Sequence, residues 1–414
     1  MLNRPSAIRE IMRMTDEKNM KRMGLDPANV ISFGGGWVGH RAPEALREIY
    51  LEICTDPQAF HEAGAYPPTP GLRACREQLA RLEKDLFGMD VGEENVLVSQ
   101  SSTQLTHDIF KTIANPGDCV VLLDPTYANY YGQVLSSLAH YNGSNRPEAE
   151  VAYLRVFDPE SWSFMPDVDL TISELEDIFK EKNPKAMLIP SPDNPTGQVV
   201  PDKFVEAAME LCEENDAYLI LDYAYKNQCF LETVPDYYSW SPSEYENLIM
   251  IYSNSKWARG LGRRMGWIMG AENVLTGLTQ MLNYSLLCAD NFHQQAMAEF
   301  LDRTISDGSL RIYLNETNET YKEAARVTVD AIEKYTDARS LVPQGGIYTV
   351  AELGGGSETF VMDVMKKTGV LLVPGIGFGE STRSGVRISY GPLVEDMTKI
   401  EEGMERVGNY LDGK

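Results

Sequence analysis

The sequence has 414 residues, 43% hydrophobic and 24% charged, which are the proportions of a globular enzyme large enough for two packed domains. Its 61 acidic residues against 37 basic ones give a formal charge of -24. That excludes binding through phosphate-backbone neutralisation, because nucleic-acid affinity comes from clustered Lys and Arg. No apolar run is long enough to span a bilayer, the first residues lack the apolar core of a signal peptide, and the six cysteines show neither CxxC nor metal-ligand spacing. A cytoplasmic protein with reduced thiols, no membrane partner and no metal is therefore expected.

The chain opens on a polar segment containing Ser6-Ala7-Ile8-Arg9, then Ile31-Ser32-Phe33-Gly34-Gly35-Gly36 and Trp37-Val38-Gly39-His40. From about residue 94, short and nearly apolar runs alternate with helical stretches: 96–99, 120–124, 186–190, 218–222 and 248–252. Such runs, separated by long crossovers, predict strands of a largely parallel sheet covered on both faces, an α/β domain. Between the second and third runs, the polar stretch 142–174 reads as a loop with room for an extra hairpin. Beyond about residue 300 the pattern becomes long helices (313–335, 357–368, 394–410) interleaved with short strands near 348–353 and 386–389, which predicts a smaller α+β domain. No internal repeat or low-complexity segment interrupts it.

The chemically unusual residues fall just past the carboxyl ends of the predicted strands, where open α/β sheets bind ligands. After the first, Ser99-Gln100-Ser101-Ser102-Thr103-Gln104 runs into a helical stretch; hydroxyl residues there make an ordinary N-cap or a phosphate cradle. The third ends in Ser191-Pro192-Asp193-Asn194-Pro195-Thr196-Gly197, a rigid turn that holds the Asn194 amide. The fourth ends in Asp222-Tyr223-Ala224-Tyr225, where the carboxylate either caps a helix or meets a bound ring together with the Tyr225 phenol. The fifth ends in Ser253-Asn254-Ser255-Lys256-Trp257, followed by Gly260, Gly262, Arg263, Arg264 and Gly266. An amine beside a basic, glycine-rich loop is the least easily explained as a solvated surface.

In this order and spacing, SxSK with a following RxG, preceded by DxxY and NPTG, resembles the class I and II aminotransferases of pyridoxal-phosphate (PLP) fold type I, over nearly the whole chain. The opening looks most like the kynurenine/α-aminoadipate branch, while the spacing of the lysine loop is similar to the aspartate-type enzymes. The resemblance implies a seven-stranded, mostly parallel sheet in a large domain (46–300), a small domain (301–414), and an N-terminal arm (1–45) joined to the small one. It implies Lys256 as the Schiff-base lysine and proton carrier, Asp222 as partner of the pyridine nitrogen, and Tyr225 and Asn194 at the ring oxygen. Tyr127 would stack on the ring, and Ser101, Ser102, Thr103, Ser253, Ser255 and Arg264 would hold the phosphate. Tyr66 would reach the phosphate of a second subunit, making the active sites shared in a homodimer. Arg387, Gly36 and Asn194 would bind the substrate, the first two at its α-carboxylate, with Arg9 near a distal one.

The implied function is transfer of an amino group between an amino acid and a 2-oxo acid. Other PLP reactions at Cα, such as β-elimination, decarboxylation, racemisation or oxidation, share the same core residues, and the retained Arg387 favours transamination. Trp37-Val38-Gly39-His40 stands where the kynurenine branch usually has Leu-Pro, so Trp37, His40 and Tyr284 are candidates for shaping the substrate mouth.

Overall fold

The five apolar runs do pair, and two further strands join them. The computed structural model describes residues 16–141 and 148–413. In chain order its strands are β1 (Ile31–Ser32), β2 (Val96–Ser99), β3 (Val120–Asp124), β4 (Val151–Arg155), β5 (Phe157–Asp158), β6 (Ser163–Phe164) and β7 (Ala186–Pro190). They continue as β8 (Tyr218–Asp222), β9 (Leu248–Ser253), β10 (Gly266–Gly270), β11 (Tyr348–Ala351), β12 (Val370–Leu371), β13 (Val373–Pro374) and β14 (Val386–Ser389). The helices are α1 (Glu17–Arg22), α2 (Glu44–Thr55), α3 (Pro57–Ala63), α4 (Arg73–Phe87), α5 (Ser102–Ile113), α6 (Tyr130–Leu138) and α7 (Val168–Lys182). After them come α8 (Asp202–Glu214), α9 (Glu272–Ser285), α10 (Asn291–Ser306), α11 (Ser309–Thr336), α12 (Glu358–Thr368) and α13 (Thr398–Leu411).

The main sheet has seven strands in the order β2-β10-β9-β8-β7-β3-β4, with β10 antiparallel to both neighbours and the remaining pairs parallel. Alternate residues of one strand enter opposite cores, as the two-residue period of a strand requires. Val98, Leu221, Met250 and Trp267 pack with Leu79 of α4 and Phe204 of α8, whereas Leu97, Ile220, Ile251 and Ile268 pack with Leu105 of α5 and Leu278 of α9.

The polar stretch after β3 departs from expectation. The predicted hairpin is there as β5 and β6, but β4 pairs with β3 at the sheet edge and α7 already starts at Val168, capped by the Asp167 carboxylate. β4 is an edge strand with four of its five residues exposed or only partly buried, so its sequence lacks the apolar run that marks an inner strand. β10 is a five-residue strand bounded by glycines, which masks it as a loop.

A third core joins the two ends of the chain. β1 pairs in parallel with β12, and the antiparallel sheet β11-β14-β13 packs with α11, α12 and α13 through Phe33, Tyr321, Ile332, Val361, Ile388 and Met404. This body docks on the main sheet where Asp124, at the end of β3, accepts hydrogen bonds from Ser381 N (3.1 Å) and Ser381 Oγ (2.8 Å), and where Gln344 N donates to Gly197 O at 2.8 Å.

Among the described residues, one ion pair lies wholly inside the protein. Lys226 Nζ donates to Glu83 Oε2 at 2.6 Å and to Tyr238 O at 2.7 Å, with the Phe87 and Tyr223 ring centres 4.0 and 4.6 Å away. Burial pushes the Lys226 ammonium down, and Glu83 opposes the shift. A buried charge stripped of its partner is costly, whereas an apolar pair of similar volume is tolerated. Glu83→Leu is therefore expected to destabilise by about 3–5 kcal/mol in urea unfolding, and Glu83→Leu combined with Lys226→Met to recover most of the loss.

Candidate active site

The antiparallel β10 concentrates chemistry at one edge of the sheet. Gly266, its first residue, is paired with Ser99 and Ser253, the last residues of β2 and β9. A Cβ on Gly266 would lie 2.5 Å from Ser102 N and 2.7 Å from Ser101 C, so glycine is what lets the first turn of α5 rest on that edge. Ser101 caps α5 by accepting a hydrogen bond from Gln104 N at 3.2 Å, while Ser102 and Thr103 line the cleft in front of it. Ser253 Oγ donates to Ser255 Oγ at 2.8 Å and accepts from Ser255 N at 3.1 Å. Arg264 holds a left-handed backbone (φ 54°), uncommon for a side chain of its size, and its Nη1 donates to Leu261 O at 2.8 Å. A helix N-terminus, two serine hydroxyls and a guanidinium thus border one end of a cleft of about 560 Å³, a donor set suited to an anion.

The floor carries the carboxylate and the amine. Asp222 accepts hydrogen bonds from Tyr130 OH (2.7 Å) and Ala224 N (2.9 Å). Burial raises the Asp222 carboxyl, and the Tyr130 and Ala224 bonds and the nearby Lys256 pull it back. Tyr127 receives a hydrogen bond from Asn129 Nδ2 at 2.6 Å and meets the Tyr130 ring edge-on at 5.3 Å. Half-buried Lys256 donates to Gly36 O; burial pushes its ammonium down, against the pull of Tyr348 and Asp222.

At the far wall Arg387 is 3% exposed, and no carboxylate pairs with it among the described residues. Its Nη1 donates to Asn194 Oδ1 at 3.0 Å and its Nη2 to Gly34 O at 2.9 Å. The guanidinium sits 4.3 Å from the Tyr348 ring centre and 4.6 Å from that of Phe378, and Nε has no partner. Tyr225 OH meets Tyr348 OH at 2.9 Å, and burial drives the Tyr225 phenol well above its ordinary range.

The cleft brings together Lys256, Asp222, Tyr225, Asn194, Tyr127, Ser102, Thr103, Ser253, Ser255, Arg264, Gly36 and Arg387 of the residues expected from the sequence. Ser101 stands behind it as a cap, Tyr66 is 85% exposed away from it, and Arg9 lies outside the described residues. Of the candidates for the substrate mouth, Trp37 lines the cleft, Tyr284 is 90% exposed elsewhere, and His40 is interior. His40 bridges Tyr321 OH (2.8 Å) and Trp257 O (3.1 Å), and burial lowers it to about 4, so it acts as a neutral structural link. Sequence reasoning missed Tyr130, Asn129 and Tyr348. Tyr130, three residues beyond Tyr127 at a helix start, carried a spacing signal; the other two carried none.

The sequence family described as "Aminotransferase class I and II" matches residues 38–407. This chain belongs to that family. It is a PLP-dependent aminotransferase, and its residues fit the cofactor: an anion cradle that a Cβ on Gly266 would fill, a buried carboxylate and a partly desolvated lysine share one cleft. Among its relatives, the aspartate aminotransferase of Pyrococcus horikoshii is 25% identical over 91% of each chain. The LL-diaminopimelate aminotransferase of Nitratidesulfovibrio vulgaris is 27% identical over 92% of this chain and 91% of its own. The fold is shared with the aspartate aminotransferase of Thermus thermophilus with maleate, at a TM-score of 0.81 and 22% identity over 98% of this chain and 97% of that one.

Next to Asn194 the aminotransferase buries a carboxyl with half its acceptors unused. Asp193 Oδ2 accepts from Thr196 Oγ1 (2.5 Å) and Thr196 N (3.2 Å), Oδ1 has no partner, and burial raises the group from 3.8 to about 7. A carboxyl raised on folding binds more protons folded than unfolded, so stability is lost as pH rises from about 4 to about 7. Asp193→Asn is expected to flatten that loss, making the variant the more stable protein at pH 8 by up to about 4 kcal/mol and equal to the parent near pH 3, as read by urea unfolding of the cofactor-free protein.

Proposed function

We propose that this aminotransferase works through Lys256, Asp222 and Arg387, moving an amino group between an L-amino acid and a 2-oxo acid in two half-reactions. The convergence of these three side chains, from the loop after β9, the end of β8 and β14, on one cleft carries the reading. When bound, PLP supplies an aldehyde for a primary amine and a protonated ring that draws electron density from the substrate Cα. Lys256 would hold that aldehyde in the resting enzyme, and its amine, once released and favoured by burial, would carry the proton between the substrate Cα and the former aldehyde carbon, two bonds away. Asp222, fixed by Tyr130 and Ala224, would keep the ring nitrogen protonated by its negative charge. Tyr225 and Asn194 would reach the ring oxygen, Tyr127 would lie against the ring face, and the phosphate would sit among Ser102, Thr103, Ser253, Ser255 and Arg264. Arg387 would grip the substrate α-carboxylate beside the Gly36 backbone, because a desolvated guanidinium with no carboxylate partner favours an anion.

The cores on the two faces of the main sheet, and the third core between the ends of the chain, support a large unit around residues 46–300 and a smaller one formed by 1–45 with 301–414, of which residues 1–15 lie outside those described. Exposed Phe60, Tyr66, Tyr284 and Leu287, on segments joined by Thr69 Oγ1 donating to Asn283 Oδ1 at 2.8 Å, support a homodimer in which Tyr66 completes the other subunit's phosphate site. All six cysteines are free, which suits a reducing compartment such as the cytoplasm.

Lys256→Ala is expected to abolish the visible absorption of the PLP-loaded protein and all turnover. A parent protein that stays colourless with added PLP would refute the assignment. Arg387→Lys keeps the charge but loses the planar fork, so the KM for amino acids should rise roughly tenfold or more with the visible band retained, as steady-state kinetics would read. Sedimentation velocity should give a particle of twice the chain mass.

A further inference from the structure

The loop from Ser253 to Gly266 carries both Lys256 and Arg264, yet what fixes its shape lies behind the cleft. Asn254, wholly buried between the two cleft serines, sends its side chain away from the cleft: Nδ2 donates to His293 Nε2 of α10 at 2.7 Å. With Nε2 accepting, the proton of a neutral imidazole is on Nδ1, which faces Tyr50 OH of α2. Burial lowers His293 to about 4, so this neutral form persists through the ordinary pH range. The Tyr50 ring is stacked on Phe292 at 5.2 Å, and the Arg263 guanidinium lies 5.5 Å from its centre. Arg263 immediately precedes Arg264. The chain Asn254, His293, Tyr50, Arg263 therefore leaves the loop beside the lysine and returns beside the phosphate arginine.

The loop itself is folded around Asn254. Asn254 N donates to Met265 O (3.4 Å), and Asn254 O accepts from Ala258 N (3.3 Å) and Gly260 N (3.0 Å). A Cβ on Gly260 would lie 2.4 Å from Asn254 Oδ1 and 2.5 Å from Cγ, so glycine at 260 leaves the space in which the amide lies. None of these groups lines the cleft except through the residues that they hold.

We infer that His293 is a positioning residue: bonded to Asn254 on one side and Tyr50 on the other, it clasps the two ends of the 253–266 loop and sets Lys256 and Arg264 at the separation the cofactor needs. The inference rests on the roles proposed above for Lys256 and Arg264. A clasp of this kind acts on the bound cofactor as outer partners act on metal ligands, where removing one costs roughly tenfold or more.

The test uses purified protein loaded with PLP, with three readings: the PLP dissociation constant, the pH midpoint of the visible band, and the melting temperature of loaded and cofactor-free forms. His293→Leu is expected to raise the dissociation constant roughly tenfold and to move the midpoint. His293→Gln, which can still accept from Asn254, should recover most of both. Asn254→Ala should match His293→Leu, and the double variant should add little, because both remove one bond. Gly260→Ala, which displaces the amide without touching His293, should shift the readings in the same direction. If His293→Leu lowers both melting temperatures alike while affinity and midpoint stay put, the residue is merely structural and the inference fails. Should His293→Leu not fold, Tyr50→Phe decides: a weaker PLP complex with a shifted midpoint supports the clasp, and unchanged values overturn it. A colourless parent protein would refute the lysine assignment, whereas a yellow parent with indifferent variants would refute only the clasp.

Discussion

The cleft is organised around a cation that the protein has desolvated without neutralising. Arg387 is fixed by two neutral acceptors, Asn194 Oδ1 and Gly34 O, and lies close to the Tyr348 and Phe378 rings. Neutral acceptors orient a guanidinium and meet its hydrogen-bonding need while leaving its charge unspent. The same arrangement ties three distant stretches of chain together, because Gly34 follows β1, Asn194 follows β7 and Arg387 lies on β14. Loss of that convergence would dismantle the wall of the cleft as well as its charge.

Strand direction does comparable work at the other end. Parallel strands bring only their carboxyl ends to the binding edge, and a strand inserted in reverse brings its first residue instead. By placing Gly266 between Ser99 and Ser253, β10 brings the Arg264 side of its loop back beside the serines and the first turn of α5. Charge, dipole and hydroxyls are thereby gathered, among the described residues, without a buried ion pair at that end. Lys226 and Glu83 form such a pair elsewhere, close to the rings of Tyr223, which follows β8, and Tyr252, in β9.

Much of this was legible in the sequence, for a physical reason. A strand buried on both faces must be apolar along its length, so β2, β3, β7, β8 and β9 announce themselves, and polar residues at their ends stand out against that background. Lys256, Asp222 and Asn194 were visible in this way. β4 and β10 escaped because an edge strand need not be apolar and a short glycine-bounded strand resembles a turn. Tyr130 and Tyr348 escaped because their importance is a hydrogen bond to a residue far away in the chain, Asp222 in one case and Tyr225 in the other. His40 shows the converse: a polar residue beside a glycine segment attracts a functional reading, while its two hydrogen bonds make it part of the interior.

The pairing of β1 with β12 bears on the order in which the protein can be made. Gly34 and Arg387 are 353 residues apart in sequence, and the strand that seats Gly34 finds its partner only at Val370. Closing so long a loop comes late in folding, after the local contacts of the main sheet and its helices have offset its entropy. On the ribosome, the segment that begins the cleft must wait, unpaired, for nearly the whole chain to emerge. The sheet that leads into Lys256 can thus assemble first, and the wall that joins Gly34 to Arg387 closes over it last.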